Sequence, residues 1–524
     1  MDGWAKSPVD RKQMVLFSPT LDAMIGADHP VRLFDEILSV QDWSGWEAGY
    51  PHDRGQPPIH PRVVASALLY GLSQGIRSSR RLEWACGNGL DFLWLVEGRG
   101  IDHSTFCQFR KRFREPLKDL FRQVGRTALA MGVARLNQVV LDGTRVKANC
   151  RREGWTAATL AGQVAALDPQ IEQLLTEAEA TDAQEDTLYG PGGRGNALPE
   201  ELSDLEKRRA RLAQALASAE AMDAKRSRRK DGPDTAARVP VTDPEAKVLP
   251  NKEGGFAANY TPTVAVEGRG GYIVDTEVLS GDAESSVTVA SVDRVEATFG
   301  QRPSQVAADG AFATGEALTA LADRQVEAYM PVDEGSGQEG NPAPRSNPSE
   351  PVAERDWGKL PRDAQQKNLS KRAFVYEAPT DHYVCPMGRR LPFTGTRRYR
   401  RKGGGQGLYR VYTCESCAPC PLAGECLAGS SRVRRIFRDE HESQREAMRA
   451  RRARPQGRAM SVLRRWRVEG TFGILKAVMG LRQFLLRGLE KVRTEWLWAC
   501  TAFNLRKLVA DVRRLRQRFA AAVI

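Results

Sequence analysis

Apolar residues recur at helical spacing through residues 1–135, which predicts a helical N-terminal domain. Within residues 61–95, Val64, Leu68 and Leu72 fall on one face, because positions three and four apart lie on the same side of a helix. Charged residues occupy the other face, as in a helix packed on one side of a soluble domain.

A short basic helix is predicted after Asp102, since Asp102 and Ser104 are both suitable N-cap residues. The helix would carry Arg110 and Arg112 on accessible faces. This pattern suits the recognition helix of a helix-turn-helix DNA-binding domain. An ordinary amphipathic helix with a solvated basic face explains the same pattern.

An apolar strand that ends in a carboxylate is predicted within residues 136–150. Val139, Val140 and Leu141 lead directly into Asp142. A carboxylate at the end of a buried strand is costly without a partner, so Asp142 is a candidate site residue. A turn-forming aspartate before a glycine is the simpler alternative.

A second group of strands and helices is predicted between residues 260 and 332. The strands are at 260–267, 272–279, 304–309 and 326–332, and the helices are at 284–299 and 315–323. The glycine-rich turn at 268–271 favours a hairpin of the first two strands. Asp309 ends the third strand, as Asp142 ends the earlier one.

A helical hairpin is predicted between residues 155 and 228. Its first helix has apolar residues at alternating steps of four and three: Leu160, Val164, Leu167, Ile171 and Leu174. Such a heptad seam is typical of two packed helices. Leu202, Leu205, Leu212 and Leu216 mark the second helix, after a loop rich in glycine and proline at 189–199. The hairpin would serve packing or self-association.

Residues 333–370 are rich in glycine, proline and serine and predict a loop, and a cluster of cysteines follows. The cluster consists of Cys385, Cys414, Cys417, Cys420 and Cys426. Cytosolic chains rarely form disulfides, so a tight cluster predicts a metal site. Four of the five thiolates around a structural Zn²⁺ is one interpretation. An iron–sulfur cluster and free thiols are the others.

Residues 432–467 hold thirteen arginines and no lysine. The guanidinium group can engage phosphate oxygens through two hydrogen bonds. The segment is therefore predicted to be a DNA-tracking arm, with Arg451, Arg452 and Arg454 among its phosphate contacts. A solvated basic helix is the alternative.

The overall composition narrows the class of protein. Hydrophobic residues make up 41% and charged residues 27% of the 524 residues, which excludes a fully disordered chain or a fibre. The net charge of +13 favours an anionic partner such as nucleic acid. No apolar run approaches the roughly 18 residues of a membrane span. We expect a soluble cytoplasmic protein without a membrane partner.

Three acids form the sharpest candidate site: Asp142 and Asp309 at strand ends, and Glu469 on a predicted helix. Arg465 and Lys476 share one stripe of that helix with Glu469. A salt-bridge ladder explains the stripe alone. Three converging carboxylates would instead hold two Mg²⁺ or Mn²⁺ ions, which prefer oxygen ligands and support phosphoryl transfer.

Several motifs resemble those of the DDE transposases of bacterial insertion sequences. Gly75-Ile-Arg-Ser-Ser-Arg-Arg-Leu-Glu83 and Asp102-His-Ser-Thr105 are similar to the family's helical N-terminal domain. Asp142-Gly-Thr-Arg-Val-Lys-Ala-Asn149 and Ala308-Asp-Gly-Ala-Phe312 resemble the segments around its two aspartates. Arg465, Glu469 and Lys476 have the spacing of its signature helix. The family has a tyrosine three positions before that arginine, where this chain has Val462.

The resemblance implies an α/β fold with an RNase H-like mixed β-sheet core flanked by helices. Asp142 would bridge two metal ions, Asp309 and Glu469 would each ligate one, and Arg465 and Lys476 would contact DNA. The chain would bind transposon ends in double-stranded DNA, cleave them and join the 3′-OH ends to target DNA. It would act as a homo-oligomer near the bacterial nucleoid. An inactive or domesticated DNA-binding relative is the alternative.

The implied organisation has four parts. Residues 1–135 form the DNA-binding domain, and residues 136–150, 251–332 and 456–515 form the catalytic core. The helical hairpin at 151–250 and a segment at 333–455, with a cysteine-rich loop and the arginines, are insertions.

Overall fold

The structure, a computed structural model, divides the chain into two compact units. Unit 1 comprises Met1–Pro303 and Arg465–Ile524, and unit 2 comprises Ser304–Arg464. The described residues are 20–50, 57–150, 154–189, 200–227, 236–250, 254–281, 284–332, 340–363, 368–400, 405–415 and 417–523. The glycine- and proline-rich loop predicted at 189–199 therefore lies outside them, apart from its first residue.

The helices are numbered in chain order. They are α1 (Leu21–Met24), α2 (Pro30–Ser39), α3 (Ser44–Glu47), α4 (Pro61–Ser73), α5 (Ser79–Asn88), α6 (Leu90–Leu95), α7 (His103–Arg112), α8 (Arg114–Ala130), α9 (Ala157–Tyr189), α10 (Glu200–Ser227), α11 (Val287–Phe299), α12 (Gly315–Asp323), α13 (Ala423–Cys426), α14 (Glu442–Ala453), α15 (Pro455–Gly473) and α16 (Leu489–Val523). A π-helical segment, Ile474–Val478, follows α15.

The strands are β1 (Gln138–Gly143), β2 (Val146–Lys147), β3 (Lys247–Pro250), β4 (Phe256–Glu267), β5 (Ile273–Leu279), β6 (Gln305–Ala307), β7 (Glu327–Tyr329), β8 (Val375–Glu377), β9 (His382–Val384), β10 (Arg390–Arg400), β11 (Gln406–Cys414) and β12 (Arg434–Arg438). Helices and strands are mixed along the chain, which confirms the α/β class. None of the helices in the described ranges combines the length and the apolar character that crossing a membrane would require.

The sheet of unit 1 is built on β4. Strands β1, β2, β3 and β5 all pair with β4 in antiparallel register. The expected hairpin is β4–β5, and the turn between them contains Gly271 with a φ of 83°. Asp142 lies opposite Val264 in this sheet. Strand β1, which carries Asp142, is thus paired with β4 along nearly its whole length.

The N-terminal helices pack around the last helix of the chain. Helix α16 contacts α2, α4 and α8, and also β5. Trp498 of α16 is buried and lies edge-on to Trp46, with ring centroids 5.9 Å apart. The helical region expected as a separate domain at 1–135 therefore shares its core with residues near the C-terminus.

The predicted helical hairpin is present as α9 and α10. Leu160, Leu167 and Ile171 are buried together with Leu202 and Leu212 of the second helix. The heptad seam is thus covered within the chain, which favours the packing role over self-association through this seam.

Unit 2 contains two separate pairings of strands. Strands β6 and β7 are parallel, and β8 to β12 form an antiparallel sheet in the order β12-β11-β10-β9-β8. The segment expected as an insertion with a cysteine-rich loop thus also contains a five-stranded sheet, while Cys385, Cys417 and Cys420 lie in turns between its elements. Strand β10 is largely exposed and rich in arginine, so it lacks the alternating apolar pattern that marks a half-buried strand.

Candidate active site

Asp142 is the next-to-last residue of β1, and its side chain is half-buried. Its Oδ1 accepts a hydrogen bond of 2.8 Å from the backbone N–H of Gly143. A Cβ at Gly143 would overlap the carboxylate of Glu284. Glycine here therefore lets a second acidic side chain lie against the end of the strand that carries Asp142.

Lys476 lies beside the same strand end. Its Nζ donates hydrogen bonds to the Thr144 hydroxyl at 2.6 Å and to the Arg145 carbonyl at 2.9 Å. The lysine belongs to the π-helical segment after α15, and π-turns occur often at functional sites. The segment that follows the helix of Glu469 is thus hydrogen-bonded to the residues that follow Asp142.

The chain after β1 and the chain after the π-helical segment run side by side. The N–H of Lys147 donates to the carbonyl of Arg482 at 3.2 Å, and the N–H of Phe484 donates to the carbonyl of Lys147 at 2.8 Å. The amide of Gln483 also donates to the carbonyl of Ala148 at 3.1 Å. These bonds fix the position of Lys476 relative to Asp142 within unit 1.

Glu469 is exposed on α15, seven residues before Lys476. At 1.5 Å per residue, this spacing is roughly 10 Å along the helix. Arg467 anchors the helix, because its Nε donates to the carbonyl of Gly268 at 2.8 Å. Arg465 is exposed, and so is 68% of Trp466.

Asp309 follows β6 and caps the 3₁₀ turn Gly310–Phe312, with its Oδ1 accepting from the N–H of Gly310 at 2.7 Å. The carboxylate is exposed. Asp309 belongs to unit 2, whereas Asp142 and Glu469 belong to unit 1. The convergence of the three acids therefore stays a prediction.

The two basic residues predicted on α7 differ in exposure. Arg112 is exposed, and its guanidinium lies over the ring of Tyr50 at 4.9 Å from the centroid. The expectation of an accessible face is wrong for Arg110. Its Nη1 donates to the carbonyl of Arg77, its Nη2 is buried, and burial lowers its pKa.

The arginine-rich segment folds as β12, α14 and most of α15. Arg438 pairs with Glu446 at 2.6 Å, and Arg445 and Arg449 both pair with Glu442. These guanidinium groups are engaged within unit 2. Of the three predicted phosphate contacts, Arg454 is exposed, while Arg451 and Arg452 are half-buried.

Glu442 is the centre of that ion-pair network, and only 2% of its side chain is exposed. Burial alone would raise the pKa of its carboxyl group, but Lys371, Arg449 and Arg445 outweigh burial and lower the pKa to about 2. Lys371 lies 2.6 Å from the carboxylate. Some arginines of the segment thus form ion pairs that hold α14 in place, and others lie on the surface.

One group of three potential metal ligands occurs in the described part of the chain: Glu83, Asp102 and His103, whose ligand atoms lie within 4.8 Å of one another. His103 Nδ1 lies 3.1 Å from each of the two carboxylates. The position of the imidazole between two carboxylates accounts for this closeness. The group was not predicted, because Glu83 and Asp102 come from different helices.

Two further residues near the candidate site, Glu284 and Trp466, were not predicted from the sequence. Glu284 lies in a 3₁₀ turn after β5 and has no apolar strand before it to mark it. Trp466 could have been found, since it stands between Arg465 and Glu469 on the predicted helix. A large exposed aromatic beside basic residues suits contact with a nucleic-acid base.

Two family models match the chain, and both describe transposases. The model described as a transposase domain (DUF772) matches residues 19–112. The model described as a transposase DDE domain matches residues 384–509. The first range contains the N-terminal motifs and the second contains Glu469, Lys476 and the cysteines, whereas Asp142 and Asp309 lie between the two ranges.

Together the matches place the chain among the transposases. They indicate a DDE transposase of the insertion-sequence type, which confirms the family resemblance of the sequence motifs. No curated protein and no solved structure matches the chain.

Proposed function

We propose that the chain binds the ends of an insertion sequence in double-stranded DNA, cleaves them and joins the 3′-OH ends to target DNA. The observation that carries the proposal is the pair of hydrogen bonds from Lys476 to Thr144 and Arg145. They join the segment after the helix of Glu469 to the residues after Asp142, which supports a shared active site.

The acids have the donor chemistry that such a reaction needs. Carboxylate oxygens are the preferred ligands of Mg²⁺ and Mn²⁺, and two such ions supply activation of the attacking oxygen and stabilisation of the leaving oxygen. Asp142 and Glu469 would hold the ions from unit 1, and Asp309 would complete the set from unit 2. Asp142 and Asp309 each accept a hydrogen bond from the backbone N–H of the glycine that follows them.

The strand pairings are consistent with an RNase H-like core. Strands β5, β4 and β1 form an antiparallel set, and β6 and β7 form a parallel pair connected by α12. We propose that the two sets belong to one mixed sheet, so that the strand ends of Asp142 and Asp309 face a common site.

Basic side chains would position the DNA. Exposed Arg465 and Arg112 can contact phosphates, and so can Arg451, Arg452 and Arg454. Lys476 would neutralise a phosphate near the scissile bond while it keeps the strand end in place. Arg110 is left out of this set, because its buried guanidinium supports the fold instead. We expect two or more copies in the DNA-bound form, one for each transposon end.

The test separates binding from cleavage. Asp142→Asn, Asp309→Asn and Glu469→Gln should each abolish cleavage of a duplex that carries the inverted repeats flanking the reading frame. Binding of the same duplex should persist, because each change removes a metal ligand and no phosphate contact. Glu206→Gln, at an exposed position of α10, is the matched control and should cleave normally.

A variant that still cuts at the wild-type rate would remove its residue from the site. Wild-type protein that binds the ends but never cuts, with either Mg²⁺ or Mn²⁺, would favour the inactive DNA-binding alternative.

A further inference from the structure

The five clustered cysteines of unit 2 line one small cavity. The cavity volume is about 20 Å³, which is room for a single small ion or water. Cys385, Cys414, Cys417 and Cys426 are buried, and Cys420 is half-buried. Apolar side chains, among them Phe374 and Leu422, form much of the rest of the wall. The thiols are therefore the groups of the cavity that could bind a metal ion.

Cys385 lies in a tight turn that aims backbone N–H groups at its sulfur. The N–H of Arg389 donates to Sγ at 3.3 Å, and the N–H of Met387 also donates to it. Gly388 closes the turn with a φ of 72°, and a Cβ there would overlap the backbone of Ser349. Amide donors of this kind stabilise a thiolate rather than a neutral thiol.

Cys417, Cys420 and Cys426 approach the cavity from a second segment. The N–H of Cys420 donates to the carbonyl of Cys417 at 3.1 Å, and the N–H of Cys426 donates to that of Leu422 at 2.9 Å. Two consecutive turns therefore carry these three cysteines, which line the same cavity as Cys385. Burial and, to a smaller extent, the neighbouring thiols of Cys417, Cys385 and Cys420 raise the pKa of the Cys426 thiol to about 11, against the lowering effect of Arg434.

Two half-buried arginines border the cavity. Nη1 of Arg389 and Nε of Arg434 are buried without a hydrogen-bond partner in the part of the chain that the structure describes. A buried, unsatisfied N–H of a charged group is costly. The cost is relieved if the cavity acquires negative charge.

We propose that Cys385, Cys417, Cys420 and Cys426 bind one structural Zn²⁺ ion. The four thiols release their protons to solvent as they bind, and the resulting centre carries two negative charges. Arg389 and Arg434 offset these charges. This site goes beyond the proposed transposition chemistry and does not depend on it.

Cys414 is the cysteine left outside the set. It ends β11, where it pairs with Arg434 in the ladder, and its carbonyl accepts a hydrogen bond of 3.2 Å from the Cys417 thiol. The sequence spacing left the choice of four from five open. We base the choice on Cys414 being part of a paired strand, whereas the other four lie in turns or at the end of the short α13.

Metal binding would contract the cavity. No three of the five sulfur atoms lie within 4.8 Å of one another among the described residues. Zn–S bonds of about 2.3 Å in a tetrahedron place the sulfurs roughly 3.8 Å apart. The thiols would therefore move inward and fill the empty volume between them.

The test starts with metal analysis of the full-length protein, purified without chelator. We expect one zinc per chain and a colourless solution. Cys420→Ser should lose the zinc, whereas Cys414→Ser, the matched control, should keep it. Co²⁺ exchanged into the wild type should give the strong visible absorption of a four-thiolate site.

A second measurement uses the wild type alone, in case the serine variants do not fold. A zinc chelator should make four additional thiols reactive with a thiol reagent in the native protein. No bound zinc, or no increase in reactive thiols, would overturn the proposal. A brown protein that contains iron would overturn it in favour of an iron–sulfur cluster, and loss of zinc from Cys414→Ser with retention in Cys420→Ser would overturn the choice of ligands.

Discussion

At the scale of the residue, Lys476 links two parts of the candidate site that are far apart in the sequence. Its ammonium group binds one hydroxyl and one carbonyl just after Asp142. A charged donor in such bonds contributes more than a neutral one. The lysine is therefore expected to have a structural role in addition to any contact with DNA.

Replacing Lys476 with alanine should affect stability and cleavage together. The variant loses two charge-assisted hydrogen bonds, which should lower the free energy of unfolding by about 2–3 kcal/mol. Thermal melting and cleavage of transposon ends measure the two effects. Lys491→Ala, an exposed lysine on α16, is the control. Normal melting together with lost cleavage would mean that Lys476 acts only through contact with DNA and does not stabilise the fold.

Some site residues could be predicted from the sequence and others could not. Asp142 follows an apolar strand, and the strand was visible because its burial makes it continuously hydrophobic. Arg110 was misplaced because its burial depends on Arg77 and Glu495, which line the same small cavity. Glu284 was missed for a similar reason, since only the folded sheet brings it to Gly143. Local patterns do not encode such distant neighbours.

At the scale of the element, the segment of β12, α14 and α15 divides its arginines between internal ion pairs and the surface. The sequence showed their number but not this division. The cysteine-rich sheet was missed as well, because β10 exposes nearly all of its side chains. Helices α11 and α12 and the β4–β5 hairpin were predicted, because their turns and periodicity are local.

The surface arginines should determine part of the salt dependence of DNA binding. Changing Arg451, Arg452 and Arg454 to alanine should weaken binding to any duplex, because phosphate contacts carry no base information. The slope of log affinity against log salt should become shallower by up to roughly three contacts, at about 0.9 each.

Titrations of DNA at several salt concentrations measure that slope. Arg445→Ala is the matched control, since Glu442 engages this guanidinium at 3.0 Å, and it should lower stability with little change of slope. An unchanged slope in the triple variant would leave these arginines as a solvated face. Lost sequence preference with an unchanged slope would mean that they read bases.

Glu442 should make unit 2 sensitive to acid. The pKa of this carboxyl group is about 2 in the folded chain, against 4.5 ordinarily. A lowered pKa means that the ion pairs stabilise the fold above pH 4.5, and that this contribution is lost as the pH falls toward 2. The shift corresponds to about 3 kcal/mol.

Thermal melting between about pH 2 and pH 5 tests this expectation. Glu442→Gln should melt at a lower temperature at pH 5 and should depend less on pH than the wild type over this range. Glu440→Gln, at an exposed neighbouring position, should behave as the wild type does. Equal pH dependence of Glu442→Gln and the wild type would assign the acid sensitivity to other groups.

At the scale of the whole molecule, the chain forms two compact units, and the four parts expected from the sequence stay a prediction. Strands β6 and β7 are grouped in the unit that contains the cysteine-rich sheet. Domain boundaries depend on which long-range contacts form, and the sequence pattern shows mainly local ones. The helical hairpin was located correctly because its seam is periodic.

The packing of α16 against α2, α4 and α8 has a consequence for synthesis of the protein. These helices leave the ribosome well before α16, so Trp46 finds its partner Trp498 only late in synthesis. Until then the nascent chain exposes apolar helix faces that α16 will cover. A product that terminated before α16 would keep those faces exposed and be a substrate for chaperones and proteases.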